Sequence, residues 1–180
     1  PAFSDGLVIC PTGSGLVVAV DALFGEIAWA AHCGEFATAG LRGSSTTISK
    51  RPYGSPGFPS PPTIHGDAVV YLPKVSNQVH CLSLSTGSRV WRAPRLDALY
   101  VGSVTDQGVL VIGENRMRLL SLVDGHEIWS TAMPVPSGRG TRSGDTFMLP
   151  MKSGSVAVVD LATGAILSQA DQLENSFRRT

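Results

Sequence analysis

One nine-residue phrase recurs four times along the chain and sets the pattern for everything else. Its copies read D-A-L-F-G-E-I-A-W, S-L-S-T-G-S-R-V-W, S-L-V-D-G-H-E-I-W and D-L-A-T-G-A-I-L-S. A small polar residue comes first, and glycine follows four places on, at Gly25, Gly87, Gly125 and Gly164. Four places further, tryptophan ends the first three copies, as Trp29, Trp91 and Trp129. A repeat of this kind indicates one structural unit used several times.

Each copy follows a short apolar run of strand length, and its glycine suits a tight turn because a positive φ costs glycine little. The chain then returns through a segment ending at the tryptophan, which predicts a pair of antiparallel strands. Two more short runs precede each pair, so four strands per repeat are expected. The last three turn glycines recur about every 40 residues, a period typical of β-propeller blades.

We therefore predict an all-β chain, a β-propeller segment of four-stranded antiparallel blades spanning residues 1–180. Helical repeats of similar period need apolar residues at three- and four-residue spacing, which no copy offers over helical length. The predicted boundaries are blades at about 1–30, 61–93, 100–132 and 140–168, an insertion loop at 31–60 and a tail at 169–180.

The D-x-x-T-G-x-x-x-W pattern resembles the PQQ-like (quinoprotein) propeller repeat, shared by PQQ-dependent alcohol dehydrogenases and BamB-type outer-membrane assembly lipoproteins. The runs D-G-L-V-I-C-P-T, L-Y-V-G-S-V and P-S-G-R-G are similar to PQQ-like propellers of planctomycete-type bacteria. The resemblance implies a ring of seven or eight blades. Four blades alone would expose apolar end faces, so further blades of a parent chain or a second copy are expected to cover them.

The resemblance also implies roles for the repeated residues. The three tryptophans resemble residues that wedge neighbouring blades together, with an indole N–H that finds a backbone acceptor. We expect them and the turn glycines to serve blade docking, and not cofactor stacking.

Composition narrows the possible functions. Lys and Arg number 14 and balance 14 Asp and Glu, so no overall field favours nucleic acid or an anionic membrane. No apolar run is long enough for a transmembrane helix. The chain begins with Pro1, and we expect it to be a segment cut at a blade boundary, which leaves its targeting signals undetermined.

The insertion at 31–60 is rich in Gly, Ser, Thr and Pro and is the least repeat-like part of the chain. Loops of this length are commonly either disordered or functional, and both readings stay open. If a protein partner binds there, Arg51, Tyr53 and Phe58 are the expected anchors, because arginine and aromatic residues dominate such contacts.

Few other residues suggest chemistry. Cys10 and Cys81 lie in predicted strands and are expected in the core, whereas Cys33, in the insertion, is the one cysteine of the three that could be exposed. The histidines lack metal-ligand spacing and are expected to be hydrogen-bonded structural residues; they are His32, His65, His80 and His126.

Two arginine pairs are candidates for anion or ion-pair contacts. Arg116 and Arg118 alternate along a predicted strand and share a face, where pairing with a carboxylate of a neighbouring blade is favoured over lining a central channel. Arg139 and Arg142 lie on or beside an innermost strand and could hold an anion near a propeller axis.

The sequence favours a non-catalytic propeller that binds another protein, as a scaffold in the bacterial cell envelope or periplasm that the resemblance implies, with no cofactor. The alternative is a fragment of a PQQ-dependent alcohol dehydrogenase holding PQQ with calcium. Similar enzymes carry adjacent cysteines, which this chain lacks, and their calcium ligands do not map onto Glu114-Asn115 or Glu174-Asn175. A carbohydrate-binding propeller is a weaker third reading, since aromatic residues make up 7% of the chain.

Overall fold

The computed structural model of the chain describes residues 1–34 and 60–171. These residues form four sheets of four antiparallel strands, and neighbouring strands in each sheet follow one another in chain order. The strands are β1 (Ala2–Ser4), β2 (Leu7–Pro11), β3 (Leu16–Asp21), β4 (Ile27–His32), β5 (Thr63–His65), β6 (Ala68–Tyr71), β7 (Gln78–Ser83), β8 (Arg89–Pro94), β9 (Ala98–Thr105), β10 (Gly108–Gly113), β11 (Arg116–Leu120), β12 (Glu127–Ala132), β13 (Thr141–Ser143), β14 (Thr146–Pro150), β15 (Ser155–Asp160) and β16 (Ile166–Asp171).

The architecture confirms the predicted fold class, an all-β chain whose sheets match propeller blades. Several strands extend beyond the approximate blade bounds predicted from the sequence. Strand β4 ends at His32, inside the segment 31–60 predicted as the insertion, and β16 ends at Asp171, inside the predicted tail. Among the described residues there is no helix of the length and hydropathy needed to cross a membrane.

The recurring phrase forms the turn between the third and fourth strand of each blade. In the first blade, Asp21 Oδ1 accepts hydrogen bonds from the backbone N–H groups of Leu23 and Phe24, at 2.8 and 2.9 Å. The Gly25 N–H donates to the Asp21 carbonyl at 2.8 Å, and Gly25 has a φ of 72°. The leading polar residue and the glycine are therefore two ends of one turn.

A β-bulge precedes each position that ends the phrase. In the second blade, Cys81 pairs with Trp91 and Leu82 pairs with Arg89, so Val90 is left without a partner in the ladder. The same shift leaves out Ile128 before Trp129 and Leu167 before Ser168. An extra residue at a bulge redirects the side chains that follow it. The bulge thus explains why Val90, Ile128 and Leu167 are exposed although they are apolar.

The core lies between blades and not within one blade. One cluster joins β6–β8 to β9–β11 and includes Val70, Trp91 and Val111. A second joins the third blade to the fourth around Phe147, and another joins the first blade to the second around Ile9. Each sheet is therefore held by its neighbours, and burial of apolar surface between sheets is the main stabilising term.

Each tryptophan packs over the turn glycine of the next blade. A Cβ built on Gly87 would lie 2.5 Å from the Trp29 ring, and one built on Gly125 would lie 2.6 Å from the Trp91 ring. The indole N–H of Trp91 donates to the Leu122 carbonyl at 2.7 Å. Trp29 donates in the same way to Leu84 at 2.7 Å, and Trp129 to Leu161 at 3.0 Å. We call this contact the indole joint.

The first blade carries an unoccupied version of the same turn. Apart from Gly25 itself and its chain neighbours, no described residue has an atom within 4 Å of a Cβ built on Gly25, although its φ of 72° matches the 75° of Gly125. Gly25 and Gly125 therefore share a backbone conformation and differ in whether an indole covers them.

We predict that Gly125→Ala destabilises the chain more than Gly25→Ala. Both place a Cβ in the left-handed region, which costs about 1 kcal/mol. Gly125→Ala also displaces the Trp91 ring, and overpacking of this kind adds about 1–3 kcal/mol. Equilibrium urea unfolding of the two variants measures the difference. Equal losses of unfolding free energy would show that the indole joint adds nothing to stability.

Candidate functional site

An apolar depression with a charged rim lies where the first and second blades and the connection leading into β13 approach one another. It encloses about 610 Å³, and we call it the proline-lined cavity. Its lining residues are Pro1, Pro11, Thr12, Gly13, Ser60, Pro61, Tyr71, Leu72, Lys74, Val75 and Arg139. A cavity of this size and composition falls in the range of ligand and side-chain binding pockets.

The floor of the proline-lined cavity is buried and its rim is cationic. Tyr71 and Leu72 are buried, and burial raises the pKa of the Tyr71 hydroxyl. Val75 is 38% exposed, and Lys74 and Arg139 are exposed beside it. The cavity can therefore accept an apolar group flanked by negative charge.

Arg139 is held in place at this rim. Its guanidinium lies 4.9 Å from the centroid of the Tyr100 ring, a cation–π distance. The Tyr100 hydroxyl donates to the Gly138 carbonyl at 3.2 Å and accepts from the Gly140 N–H at 3.0 Å. The contact with the Tyr100 ring therefore positions the Arg139 guanidinium at the cavity rim. Arg142 is exposed, and its Nε donates to the Gly144 carbonyl at 2.8 Å.

The predicted partner anchors Arg51, Tyr53 and Phe58 lie outside the described residues, and their role stays a prediction. The described residues of the first blade include three large apolar side chains that are exposed to solvent. Phe3 is 66% exposed, Leu23 82% and Phe24 73%. The expectation that further blades or a second copy cover the blade faces likewise stays a prediction.

The prediction for Cys33 is wrong. Cys33 follows β4 directly and is fully buried in the cluster between the first two blades. Burial raises the pKa of its thiol to about 11, so it is an inert core residue. Cys81 is buried as expected, and Cys10 is partly buried. The insertion prediction misplaced Cys33 because β4 runs further than the repeat indicated.

The histidines have different environments. His65 Nε2 lies 2.8 Å from Asp106 Oδ1, and His126 Nδ1 lies 2.6 Å from Asp124 Oδ1. The hydrogen bonds of Ser121 and His126 lower the pKa of Asp124 to about 2. His80 is buried, and its Nε2 lies 3.1 Å from the Ser76 hydroxyl. Burial first, and then Arg89, Arg92 and His32, lower its pKa to about 4.

Arg116 and Arg118 form ion pairs, but not with the predicted neighbouring blade. Arg116 Nε lies 3.8 Å from Asp97 in the connection that leads into β9, and Arg118 Nη1 lies 3.7 Å from Glu127 of β12. Arg118 is buried, and its Nη2 donates to the Pro94 carbonyl at 3.0 Å. It therefore ties the second blade to the third through a carbonyl and not through a carboxylate.

The described residues do not fit PQQ with calcium. Calcium requires several converging oxygen ligands, and no group of three or more acidic, histidine or cysteine side chains in the described ranges could hold a metal ion. The three cysteines are dispersed, at Cys10, Cys33 and Cys81, so no adjacent pair exists in the sequence. No catalytic step through that cofactor follows from these residues.

Comparison with known proteins gives one family. The family model described as "Outer membrane protein assembly factor BamB" matches residues 13–179. No curated protein matches the chain in sequence.

Several solved structures share the fold of this chain at 20% sequence identity or less. BamB from Moraxella catarrhalis is 20% identical with a TM-score of 0.64, covering 91% of this chain and 49% of that one. The Pan2 WD40 domain from Neurospora crassa is 15% identical with a TM-score of 0.60, covering 93% and 47%. The computationally designed Ika4 protein is 13% identical with a TM-score of 0.58, covering 88% of each chain. This chain thus spans about half the length of the two natural proteins.

We predict that His80 makes stability depend on pH. Its pKa is 6.5 ordinarily and about 4 in the folded chain, where Arg89, Arg92 and His32 face it. Between these values the unfolded chain binds a proton that the folded chain excludes, so the unfolding free energy falls as pH drops from about 6.5 to about 4. His80→Gln should flatten this dependence, measured by urea unfolding across the range.

Gln78→Ala, in the same strand, removes no titrating group and serves as the control for that measurement. In Gln78→Ala, the unfolding free energy should depend on pH as steeply as it does in the wild type. If the unfolding free energy of His80→Gln falls with pH as steeply as that of the wild type, His80 is not the source of the pH dependence.

Proposed function

The chain belongs to the family of the outer membrane protein assembly factor BamB, and from this we propose that it is a non-catalytic β-propeller module that binds another protein. The family match over residues 13–179 supports this proposal, as does the fold shared with BamB from Moraxella catarrhalis. We propose the cell envelope or periplasm as its location from the family alone.

The proline-lined cavity is the observation that carries the proposal. It combines a buried aromatic and aliphatic floor with exposed Val75 and two exposed cations, Lys74 and Arg139. Protein interfaces have this arrangement, with an apolar centre and a polar rim. An apolar side chain flanked by Asp or Glu on a partner would fill the centre and pair with the rim.

The fold suits such a role because the walls of the cavity come from blades that pack rigidly against each other. Leu72 belongs to the cluster between the second and third blades, and Tyr71 to the cluster between the first and second. A preorganised surface loses little conformational entropy on binding, which favours recognition of another protein.

Site-specific photo-crosslinking in cells that express the protein tests whether a partner protein binds at the proline-lined cavity. A photoreactive residue at Val75 should capture an envelope protein, because this position lies in the cavity and is partly exposed. The same residue at Val123, which is 82% exposed and outside the cavity lining, is the matched control. Lys74→Glu should reduce the yield at Val75 about tenfold if its charge pairs with the partner, since about 1.4 kcal/mol corresponds to tenfold.

Equal capture of the same proteins at Val75 and Val123 would contradict a binding site in the cavity. Unchanged yield in Lys74→Glu would contradict the charge pairing at its rim. Mass spectrometry identifies the captured proteins in both experiments.

The dehydrogenase alternative makes a separate prediction. We expect no saturable binding when PQQ and Ca²⁺ are titrated into the folded protein, because the described donor set does not fit them. Calorimetry and cofactor absorbance measure this. One-to-one binding tighter than about 10 μM, roughly −7 kcal/mol, would replace the scaffold proposal with the dehydrogenase.

A further inference from the structure

A second pocket, separate from the proline-lined cavity, lies between β4 of the first blade and β7 and β8 of the second. It encloses about 710 Å³ and shares no lining residue with the proline-lined cavity. We call it the basic pocket, and its lining residues are His32, Gly34, Ser76, Gln78, His80, Arg89 and Arg92.

Basic side chains from two blades converge on the basic pocket. Arg89 crosses from the second blade to the first, where its Nη2 donates to the His32 carbonyl at 3.4 Å. Arg92 lies directly opposite His80 in the register of β7 and β8. None of the described residues that line the pocket is a carboxylate. Two arginines are therefore gathered at one concave site, and no acidic residue among the described lining residues balances them.

His80 brings a buried and unpaired ring nitrogen to the basic pocket. The residue is 3% exposed, and its Nε2 is occupied by the Ser76 hydroxyl at 3.1 Å. Its Nδ1 is buried and has no hydrogen-bond partner among the described residues. Buried polar atoms are nearly always paired, because leaving one unpaired costs the desolvation of that group. Such an atom on a pocket-lining residue is a hydrogen-bonding group that a bound ligand could pair with.

We propose that the basic pocket binds an oxyanion group, a phosphate or a carboxylate, held by Arg89 and Arg92 and by His80. The planar arginine fork matches both oxyanions and forms strong charge-assisted hydrogen bonds with them. Protonated histidine donates from both ring nitrogens, so His80 can bind the anion through Nδ1 while Nε2 donates to Ser76.

Electrostatics supports the same arrangement. Without a ligand, burial and then the charges of Arg89, Arg92 and His32 hold the pKa of His80 near 4. An anion between these groups offsets the repulsion and raises that pKa, so His80 takes up a proton from solvent as the anion binds. Cys33, which is near Arg89, has a thiol pKa of about 11 and stays neutral over this range.

The test is an NMR titration of the full chain that follows the His80 ring resonances. Inorganic phosphate and acetate are added in separate arms, with chloride at the same ionic strength as the reference. We expect a saturable shift in the phosphate arm, the acetate arm or both, and a raised apparent pKa of His80. The tighter-binding anion identifies the ligand class as phosphate or carboxylate.

Three pocket variants and one control make the result specific. Arg89→Gln and Arg92→Gln change exposed side chains, so the fold should be retained, and each should weaken binding about tenfold, the loss of about 1.4 kcal/mol. Arg142→Gln removes an exposed arginine outside the pocket and should leave the affinity unchanged. Ser76→Ala removes the hydroxyl beside Nε2 and should also weaken binding, because it frees the ring.

The proposal is overturned if neither anion shifts the His80 resonances more than chloride does. It is also overturned if Arg142→Gln weakens binding as much as Arg89→Gln, since that would be attraction by overall charge. The anion titration tests the basic pocket, whereas photo-crosslinking at Val75 tests the proline-lined cavity, and the two sites share no lining residue. A negative result in one experiment therefore does not decide the other.

Discussion

The indole joint is the contact on which the rest of this structure depends. Each sheet buries its apolar residues against a neighbouring sheet, so the blades are stable only in a fixed relative position. The joint fixes that position with a large ring, a glycine that has no Cβ, and one hydrogen bond to a carbonyl, as in Trp91 over Gly125. Both pockets described above are gaps between blades, and their walls are spaced by these contacts.

Much of the fold was predictable because it is local and repeated. The turn needs a leading acceptor such as Asp21 and a residue of positive φ such as Gly25, and both are visible in nine letters. The bulge before Trp91 was not predictable, because Val90 looks like any strand residue until its ladder partner is known. The burial of Cys33 was missed for a related reason, since it depends on where β4 ends and which blade covers it.

The candidate sites were less predictable because they are assembled from separate repeats. Arg139 reaches the proline-lined cavity from the connection before β13, while Val75 comes from the second blade. His80 was correctly expected to be a hydrogen-bonded structural residue, yet only one of its nitrogens is paired. Spacing along the chain cannot show that Arg89 crosses to His32, because the approach of two blades decides this contact.

The indole joint also has a direction, since the ring always comes from one repeat and the glycine from the repeat that follows it. Each of the first three repeats therefore carries both halves of a connector, a ring and a glycine, whereas the fourth has Gly164 but Ser168 in place of the ring. Tandem duplication of the coding segment for one blade supplies a new ring and a new glycine together, and existing joints need no change. Such a unit can be copied in evolution as a whole, and afterwards the exposed positions of each copy are free to diverge.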